Sequence, residues 1–186
     1  MLDKLMEWDR DILIYLNNLG TEEFDLFWIT VTKFPTWIPL YLTIIFLIFW
    51  KNSSKQGLWM LLSYVSMLLM LIITINTTKS VVARLRPNVD ETMNTLIRVA
   101  HHSSNYSFFS GHAASSFSIV MLAVLFLRKK FPLIHMVWLY PILFSFSRIY
   151  LGVHYPSDIV VGAIVGSFFA LIFYRMYQKF RAPYIM

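Results

Sequence analysis

Long apolar runs separated by short polar stretches make up most of this 186-residue chain. Residues 57–75 and 159–177 are each long enough to cross a hydrocarbon core of about 30 Å as a single helix. Three shorter runs, at residues 37–50, 113–127 and 133–146, are bordered mostly by small or aromatic residues that can extend each run to a full span. The pattern predicts an all-α fold, a polytopic membrane helical bundle of five transmembrane helices, or six if the segment before Pro35 adds one.

The N-terminal segment, residues 1–34, has a different pattern. Residues 1–20 are acidic and amphipathic, which favours a helix lying in the membrane interface. Residues 24–32 are either a half-helix that joins the run at 37–50 across Pro35 or part of a sixth span. Acidic residues interrupt the early apolar stretches, so we expect no cleavable signal peptide. The candidate lipid-facing positions are Leu2, Leu5, Met6, Ile12, Leu13 and Leu16.

The composition supports a membrane protein with a single domain over residues 1–186, whose motif-bearing part is residues 57–178. Hydrophobic residues make up 58% of the chain and charged residues only 14%, against about 45–50% and about 25% in average soluble domains. The chain has no cysteine, which excludes disulfides, thiolate catalysis and cysteine metal sites. The net charge is +6, but the bases stand in small groups between apolar runs, which indicates a membrane protein and not a nucleic-acid-binding protein.

The loops divide into a basic set without acidic residues and a second set that contains the candidate catalytic residues. If residues 37–50 cross once, the connections alternate sides, and one side receives eight bases and no acid. The positive-inside tendency makes that side cytoplasmic. The other side receives residues 79–111 and 147–158, and in a bacterial inner membrane it faces the periplasm or the exterior. The eight bases are Lys51, Lys55, Arg128, Lys129, Lys130, Arg175, Lys179 and Arg181.

The first polar cluster ends the run at residues 57–75. Residues seven apart on a helix differ by about 20°, so a continuing helix places Lys79 and Arg86 on one face, two turns apart. Arg84 then points away, and Pro87 ends the helix at Arg86. The pair is either an anion clamp or a set of bases that extend to lipid phosphates. We expect Arg84→Ala to matter little.

The second and third clusters each open a helix. Ser110 is a candidate N-cap, and the free backbone N–H groups after it form an anion site beside Gly111 and His112. Pro156 suits the first position of the last helix, which places His154 just before that helix and Asp158 in its first turn. Asp158 either stabilises the helix N-terminus or orients His154, and an acid bordering a lipid span favours the functional interpretation.

Together the three clusters place two arginines, a lysine, two histidines, an aspartate and a helix N-terminus on one side of the membrane. Phosphoryl transfer needs such a set: positive groups to neutralise the phosphate oxygens, a nucleophile and an acid for the leaving group. The residues of the set are Lys79, Arg86, Ser110, Gly111, His112, Arg148, His154 and Asp158.

The combined pattern resembles the type 2 phosphatidic acid phosphatase (PAP2) superfamily of integral membrane phosphatases. The family pattern is Lys-x6-Arg-Pro, then Pro-Ser-Gly-His, then Ser-Arg-x5-His-x3-Asp. This chain carries all three spacings, from Lys79 through Ser110 to Asp158, and departs from the pattern where Phe109 replaces the usual proline. The resemblance covers roughly residues 57–178.

The resemblance implies a role for each matched residue. His154 attacks phosphorus and forms a phosphohistidine, Asp158 orients its imidazole, and His112 protonates the leaving group. The family uses neither a metal nor a cofactor at this site. The expected function is hydrolysis of a phosphate monoester or diphosphate on a membrane lipid at the periplasmic face. The residues implied to hold the phosphate are Lys79, Arg86, Ser110, Gly111 and Arg148.

Other functions stay open on the sequence. Ser110, His112 and Asp158 are a possible acyl-transfer triad, although Ser110 and His112 lie only two residues apart. A second alternative is a protein that binds or transports lipid anions without catalysis. A third is a phosphotransferase that uses the same site and passes the phosphoryl group to an acceptor other than water. Candidate substrates are undecaprenyl diphosphate, phosphatidylglycerol phosphate, phosphatidic acid and lipid A phosphates. Residues 88–108, the longest loop on this side, are expected to line the headgroup entrance.

Overall fold

The computed structural model describes the backbone of residues 2–185 and the side chains of residues 3–180. Between residues 2 and 185 it is built from helices without a strand, which confirms the all-α prediction. Short 3-10 segments precede α2, α3 and α6, at Glu22–Phe24, Phe34–Trp37 and Pro132–Trp138. The α-helices are α1 Leu2–Asn18, α2 Asp25–Val31, α3 Ile38–Trp50, α4 Ser54–Val82, α5 Gly111–Leu127, α6 Leu139–Tyr150 and α7 Pro156–Ile185.

The described helices give fewer spans than the apolar runs predicted. Three are long and apolar enough to cross a membrane: Ser54–Val82, Pro132–Tyr150 and Pro156–Phe180. Helices α2 and α3 add a fourth if they form one broken span, bent by 67°. Helix α5 has 17 residues, which at 1.5 Å per residue is about 26 Å, short of a 30 Å core. The prediction of five to six spans is therefore not confirmed.

The bend between α2 and α3 bears on the two alternatives for residues 24–32, a half-helix joined to the next run across Pro35 or part of a sixth span. The 3-10 segment at Phe34–Trp37 contains Pro35, whose ring and missing N–H interrupt a regular helix. The chain therefore forms a half-helix, α2, that joins α3 across Pro35, as one of the two predictions stated. The turn between them carries Thr32, which is buried.

Helix α1 packs on the bundle with an unexpected face. Asp9, Leu13 and Asn17, four residues apart, are buried and lie on one side of the helix. Leu5, Met6 and Ile12 are exposed, as predicted for lipid-facing positions. The same prediction is wrong for Leu13 and Leu16, which pack inward. The predictions for the side chains of Leu2 and Arg181 lie outside the described residues.

Helices α5 and α7 approach closely at two glycines of α7. A Cβ atom on Gly162 would lie 2.6 Å from the carbonyl oxygen of Ser110, and a Cβ on Gly166 would overlap the backbone of Ala114. Small residues four apart let helix backbones meet in this way. The contact fixes the start of α5 against the start of α7, which is where two of the three sequence clusters lie.

The opposite end of the bundle holds basic loops. Lys130 donates hydrogen bonds to the carbonyl oxygen of Lys51 and the side-chain oxygen of Asn52. The connections after α3 and after α5 therefore lie together, away from the loops at 83–110 and 151–155.

Candidate active site

A cavity of about 620 Å³ lies between α3, α4 and α5. Most of its wall is apolar, formed by side chains such as Ile44, Ile48, Val65 and Ile72. One end is polar, and that end contains residues from all three sequence clusters. The lining residues of that end include Asn76, Lys79, Asn105, Gly111, His112, Ser115 and His154.

His154 lies in the buried turn between α6 and α7 and is 1% exposed. Its Nδ1 atom is 3.2 Å from Oδ2 of Asp158, and its Nε2 atom is 2.9 Å from Nη1 of Arg86. A carboxylate on Nδ1 and a guanidinium donor on Nε2 both favour the neutral tautomer with the proton on Nδ1. In this tautomer the Nε2 lone pair accepts from Arg86, at the end of the cavity that His154 lines.

The surroundings of His154 oppose a positive charge on its imidazole. Burial lowers its pKa well below the usual 6.5, and the nearby charges of Arg86, Arg148, Lys79 and Arg84 lower it further. Desolvation and like charges both disfavour the protonated form. His154 is therefore a neutral base at physiological pH, which is the state a nucleophile needs.

Asp158 is fully buried in the first turn of α7, as the position of Pro156 predicted. Its Oδ2 atom accepts hydrogen bonds from the backbone N–H of Tyr155, at 3.0 Å, and from the hydroxyl of Ser107. Its Oδ1 atom accepts one from Nη1 of Arg84 at 2.9 Å. Both oxygens are thus held, and the one facing His154 has little freedom to move.

The geometry of the first cluster corrects the helical-face prediction. Helix α4 ends at Val82, and Ala83 adopts a left-handed conformation with φ of 48°. Residues 84–86 therefore leave the helix, and Lys79 and Arg86 do not share a helical face. Pro87 does not mark the helix end, because the left-handed residue turns the chain four residues earlier.

Lys79 and Arg86 nevertheless reach the same site, each held by the loop at 83–110. Arg86 donates to the side-chain oxygen of Asn105 at 2.7 Å and to the carbonyl of Val153 at 2.8 Å. Lys79 donates to the carbonyl of Tyr106 at 2.8 Å. Asn105, within residues 88–108, contacts Arg86 and lines the cavity, while the headgroup entrance along this loop stays a prediction.

Arg84 also turns toward the site, against expectation. Besides Asp158, it donates to Oδ2 of Asp9 at 2.7 Å and to the hydroxyl of Ser157 at 2.8 Å. The prediction that Arg84 points away from Lys79 assumed a helix that continues to Arg86, and that helix ends at Val82.

Helix α5 presents the second cluster as the sequence predicted. Ser110 is its N-cap, and the Ser110 hydroxyl accepts from the backbone N–H of Ala113 at 3.4 Å. The backbone N–H of Ser110 donates to the carbonyl of Asp158 at 3.0 Å, which ties α5 to α7. Phe109, in place of the usual proline, is buried in an apolar cluster with Leu71 and Ile75 and does not prevent the cap.

His112 faces the cavity from the first turn of α5. Its ring stacks on Phe144 with centroids 4.8 Å apart and lies 5.1 Å from Phe34. The imidazole also hydrogen-bonds to the backbone of Thr32. These contacts hold the ring at the wall of the cavity that His154 also lines, and the hydrogen bond to Thr32 uses one of its two ring nitrogens.

Arg148, on the last turn of α6, is 4% exposed. Its Nη1 atom donates to the hydroxyl of Thr32 at 2.6 Å. Its Nε atom is buried, and within the described chain no partner accepts from it. A buried, unpartnered guanidinium donor beside cationic neighbours is suited to an oxygen of a bound anion.

The structure does not assemble the alternative serine triad. The hydroxyl of Ser110 caps α5, and Asp158 binds His154 and not His112. The sequence argument did not identify Asp9, Thr32 or Ser107 as site residues, and it assigned Arg84 no part in the site. The serine and the threonine carry no local signal, since their partners lie far away in the chain.

Comparisons with known proteins identify similar lipid phosphatases. The chain is 29% identical over 186 residues to the lipid A 4′-phosphatase of Bacteroides thetaiotaomicron, covering 98% of this chain and 82% of that protein. It is 32% identical over 140 residues to the undecaprenyl-diphosphatase of Sulfolobus acidocaldarius, covering 73% of this chain and 61% of the relative.

A solved structure has the same fold. The crystal structure of the transmembrane PAP2 type phosphatidylglycerolphosphate phosphatase from Bacillus subtilis superposes with a TM-score of 0.72 at 22% identity, over 95% of this chain and 87% of that one. The family model of the PAP2 superfamily matches residues 60–182. Because this match covers well over half of the sequence, the chain belongs to the PAP2 superfamily.

Proposed function

We propose that this protein is a lipid phosphatase that hydrolyses a phosphate from a membrane lipid through a phosphohistidine on His154, without a metal or other cofactor. One observation carries the proposal: neutral His154 lines the cavity together with Lys79, its Nε2 contacts Arg86 at 2.9 Å, and Asp158 lies 3.2 Å from its Nδ1. A nucleophile, its orienting carboxylate and cationic side chains for phosphate oxygens are then within one site.

In the first step, the Nε2 lone pair of His154 attacks phosphorus in line with the lipid oxygen. The new P–N bond forms as the P–O bond to the lipid breaks. Burial and cationic neighbours lower the pKa of His112, so His112 takes up its proton when the anionic phosphate of the substrate binds beside it, and it then gives that proton to the departing oxygen. The phosphorylated imidazole carries a positive charge, which Asp158 stabilises through the Nδ1 proton. Arg86 lies 2.9 Å from Nε2, so it must transfer its donation from that nitrogen to a phosphate oxygen when substrate binds.

In the second step, His112, now neutral, takes a proton from water. The water oxygen attacks phosphorus, the P–N bond breaks, and inorganic phosphate leaves with His154 restored. Lys79, Arg86 and Arg148 neutralise the phosphate oxygens in both steps, together with the N-terminus of α5 at Ser110 and Gly111.

The cavity supports a lipid substrate. Its apolar wall between α3 and α4 extends from the polar end along the bundle, and several lining side chains of α4, such as Val65 and Ile72, are half exposed on the outer surface. A hydrocarbon tail that lies in this groove places its phosphate at His154, and it enters sideways from the bilayer.

The placement of the site follows from the charge of the loops. The loops at 51–55 and 128–130 are basic and lie at the opposite end of the bundle. The positive-inside tendency assigns them to the cytoplasm. We therefore place the active site at the periplasmic or external face of a bacterial inner membrane.

The 4′-phosphate of lipid A is our first substrate candidate, because the relative named for that reaction aligns with 98% of this chain. Undecaprenyl diphosphate and phosphatidylglycerol phosphate are next, from the names of other relatives.

The test is phosphate release by the purified protein in detergent, with EDTA present, against lipid A, undecaprenyl diphosphate, phosphatidylglycerol phosphate and phosphatidic acid. We expect release from at least one lipid, none from His154→Ala, and an acid-labile phosphoprotein in wild type after rapid quenching. Release that persists in His154→Ala would reject the nucleophile, and release abolished by EDTA would reject the metal-independent reaction.

A further inference from the structure

A chain of charged groups connects helix α1 to the catalytic pair. Arg84 lies between Asp9 and Asp158, with Nη2 at 2.7 Å from Asp9 and Nη1 at 2.9 Å from Asp158. Its guanidinium also stacks on the ring of Tyr155, 3.8 Å from the centroid. Arg84 therefore has partners on three sides.

Arg84 supplies what the buried Asp158 needs. Asp158 is 0% exposed, and a buried carboxylate is costly without a charged partner. His154 is neutral, Ser107 and the backbone of Tyr155 bring only dipoles, and Arg84 brings a full positive charge to Oδ1. With Oδ1 fixed there, Oδ2 stays directed at Nδ1 of His154.

Asp9 completes the arrangement from the other side. It is only 9% exposed, whereas Glu7 and Asp11 of the same helix are exposed. Its Oδ1 atom accepts from the backbone N–H of Ser157 at 2.8 Å, so it caps the first turn of α7 as well as binding Arg84. Two turns further on, Asn17 of the same face binds the carbonyls of Ile149 and Tyr150. Helix α1 is therefore tied to both sides of the catalytic turn.

We propose that Arg84 and Asp9 are positioning residues of the phosphatase reaction: helix α1, through Asp9, fixes Arg84, and Arg84 fixes the carboxylate of Asp158 against His154. The inference rests on the proposed function, since it assigns a task to that same site. Neither Arg84 nor Asp9 forms or breaks a covalent bond in this role. Arg84 acts before and during phosphoryl transfer by keeping Asp158 ionised and oriented while the imidazole becomes positive.

Steady-state kinetics of purified variants test the inference. Removing the orienting contact of a catalytic histidine costs roughly 10²–10⁴ in kcat, so we expect Arg84→Ala to lower kcat by about 100-fold while KM changes little. Arg84→Lys should recover part of the loss, and Asp9→Asn should lose less than Arg84→Ala. Asp11→Asn, an exposed acid on the same helix, is the matched control and should keep wild-type kcat.

A double variant separates positioning from a general loss of structure. If Arg84 acts through Asp158, Arg84→Ala adds no further loss in an Asp158→Asn protein, whereas independent effects multiply. Fully multiplicative losses would overturn the inference, and so would an Arg84→Ala enzyme within threefold of wild type. Thermal unfolding of each variant verifies that the compared proteins are folded.

A measurement without turnover keeps the inference separate from the proposed function. In protein with ¹⁵N-labelled histidine, the Nδ1 proton of His154 should give a downfield, exchange-protected NMR signal, assigned by its loss in His154→Gln. We expect Arg84→Ala to remove or shift this signal, and Asp11→Asn to keep it. An unchanged signal in Arg84→Ala would reject positioning even if no tested lipid is hydrolysed, while a lost signal with an inactive wild type would reject only the proposed reaction.

Discussion

Arg148 gives the sharpest test of how the site holds phosphate. Its Nη1 atom is bound to Thr32 at 2.6 Å, and its buried Nε atom has no acceptor in the described part of the chain. Arg148→Lys keeps the charge, but lysine lacks the planar fork. Its single ammonium cannot take the place of both Nη1 at Thr32 and Nε at the phosphate. If that ammonium binds Thr32, the phosphate loses a charged donor.

Loss of one preorganised donor costs about 2.7–4 kcal/mol, or roughly 100- to 1000-fold in kcat. We expect a loss of that size in Arg148→Lys, and no smaller loss in Arg148→Ala. The cost falls on kcat if the contact strengthens in the transition state, and on KM if it serves ground-state binding equally.

The assay measures phosphate release across a range of lipid concentrations in mixed micelles, with thermal unfolding to confirm folding. Arg128→Lys is the matched control, because Arg128 is exposed at the other end of α5, and it should keep full activity. Thr32→Val should lose activity to a smaller degree, since Arg148 keeps its charge but loses its anchor. An Arg148→Lys enzyme within tenfold of wild type would refute the two-donor reasoning.

Three further predictions concern the nucleophile, the helix contact and the cavity. An NMR titration should place the pKa of His154 well below 6.5, because burial and four cationic neighbours disfavour its charged form; a midpoint near 6.5 would contradict this. Gly166→Leu should destabilise the fold by about 1–3 kcal/mol or more, since α5 leaves no room for a side chain; unchanged thermal unfolding would show that α5 and α7 can separate. Val65→Trp should raise KM for long-tailed lipids by narrowing the cavity, whereas exposed Leu69→Trp should not; equal KM values would reject the tail groove.

Features that depend on neighbouring residues were readable from the sequence. Pro156 starts α7, and His154 and Asp158, four residues apart, meet across that start. Ser110 caps α5. In each case the partners are within a few residues, so local backbone geometry alone brings them together. The spacing of these residues is also what identified the family.

The first cluster shows where local reasoning failed. A regular helix was extended through Arg86, but one left-handed residue, Ala83, ends it at Val82. The residue type at position 83 does not predict a helix end, because alanine favours the helix. The turn directs both Arg84 and Arg86 into the site, which reverses the expectation for Arg84.

The sequence by itself determined the helical class, the family pattern and the local pairs at the starts of α5 and α7. The tertiary structure decided which distant residues complete the site: Ser107 binds Asp158 across 51 positions, and Asp9 binds Arg84 across 75. It also decided that α1 turns Asp9 and Asn17 inward, because buried polar side chains are stable only where neighbouring elements supply hydrogen-bond partners. Hydrophobic periodicity reports which face is apolar, but the partners of a polar side chain are set by packing between elements that are far apart in the chain.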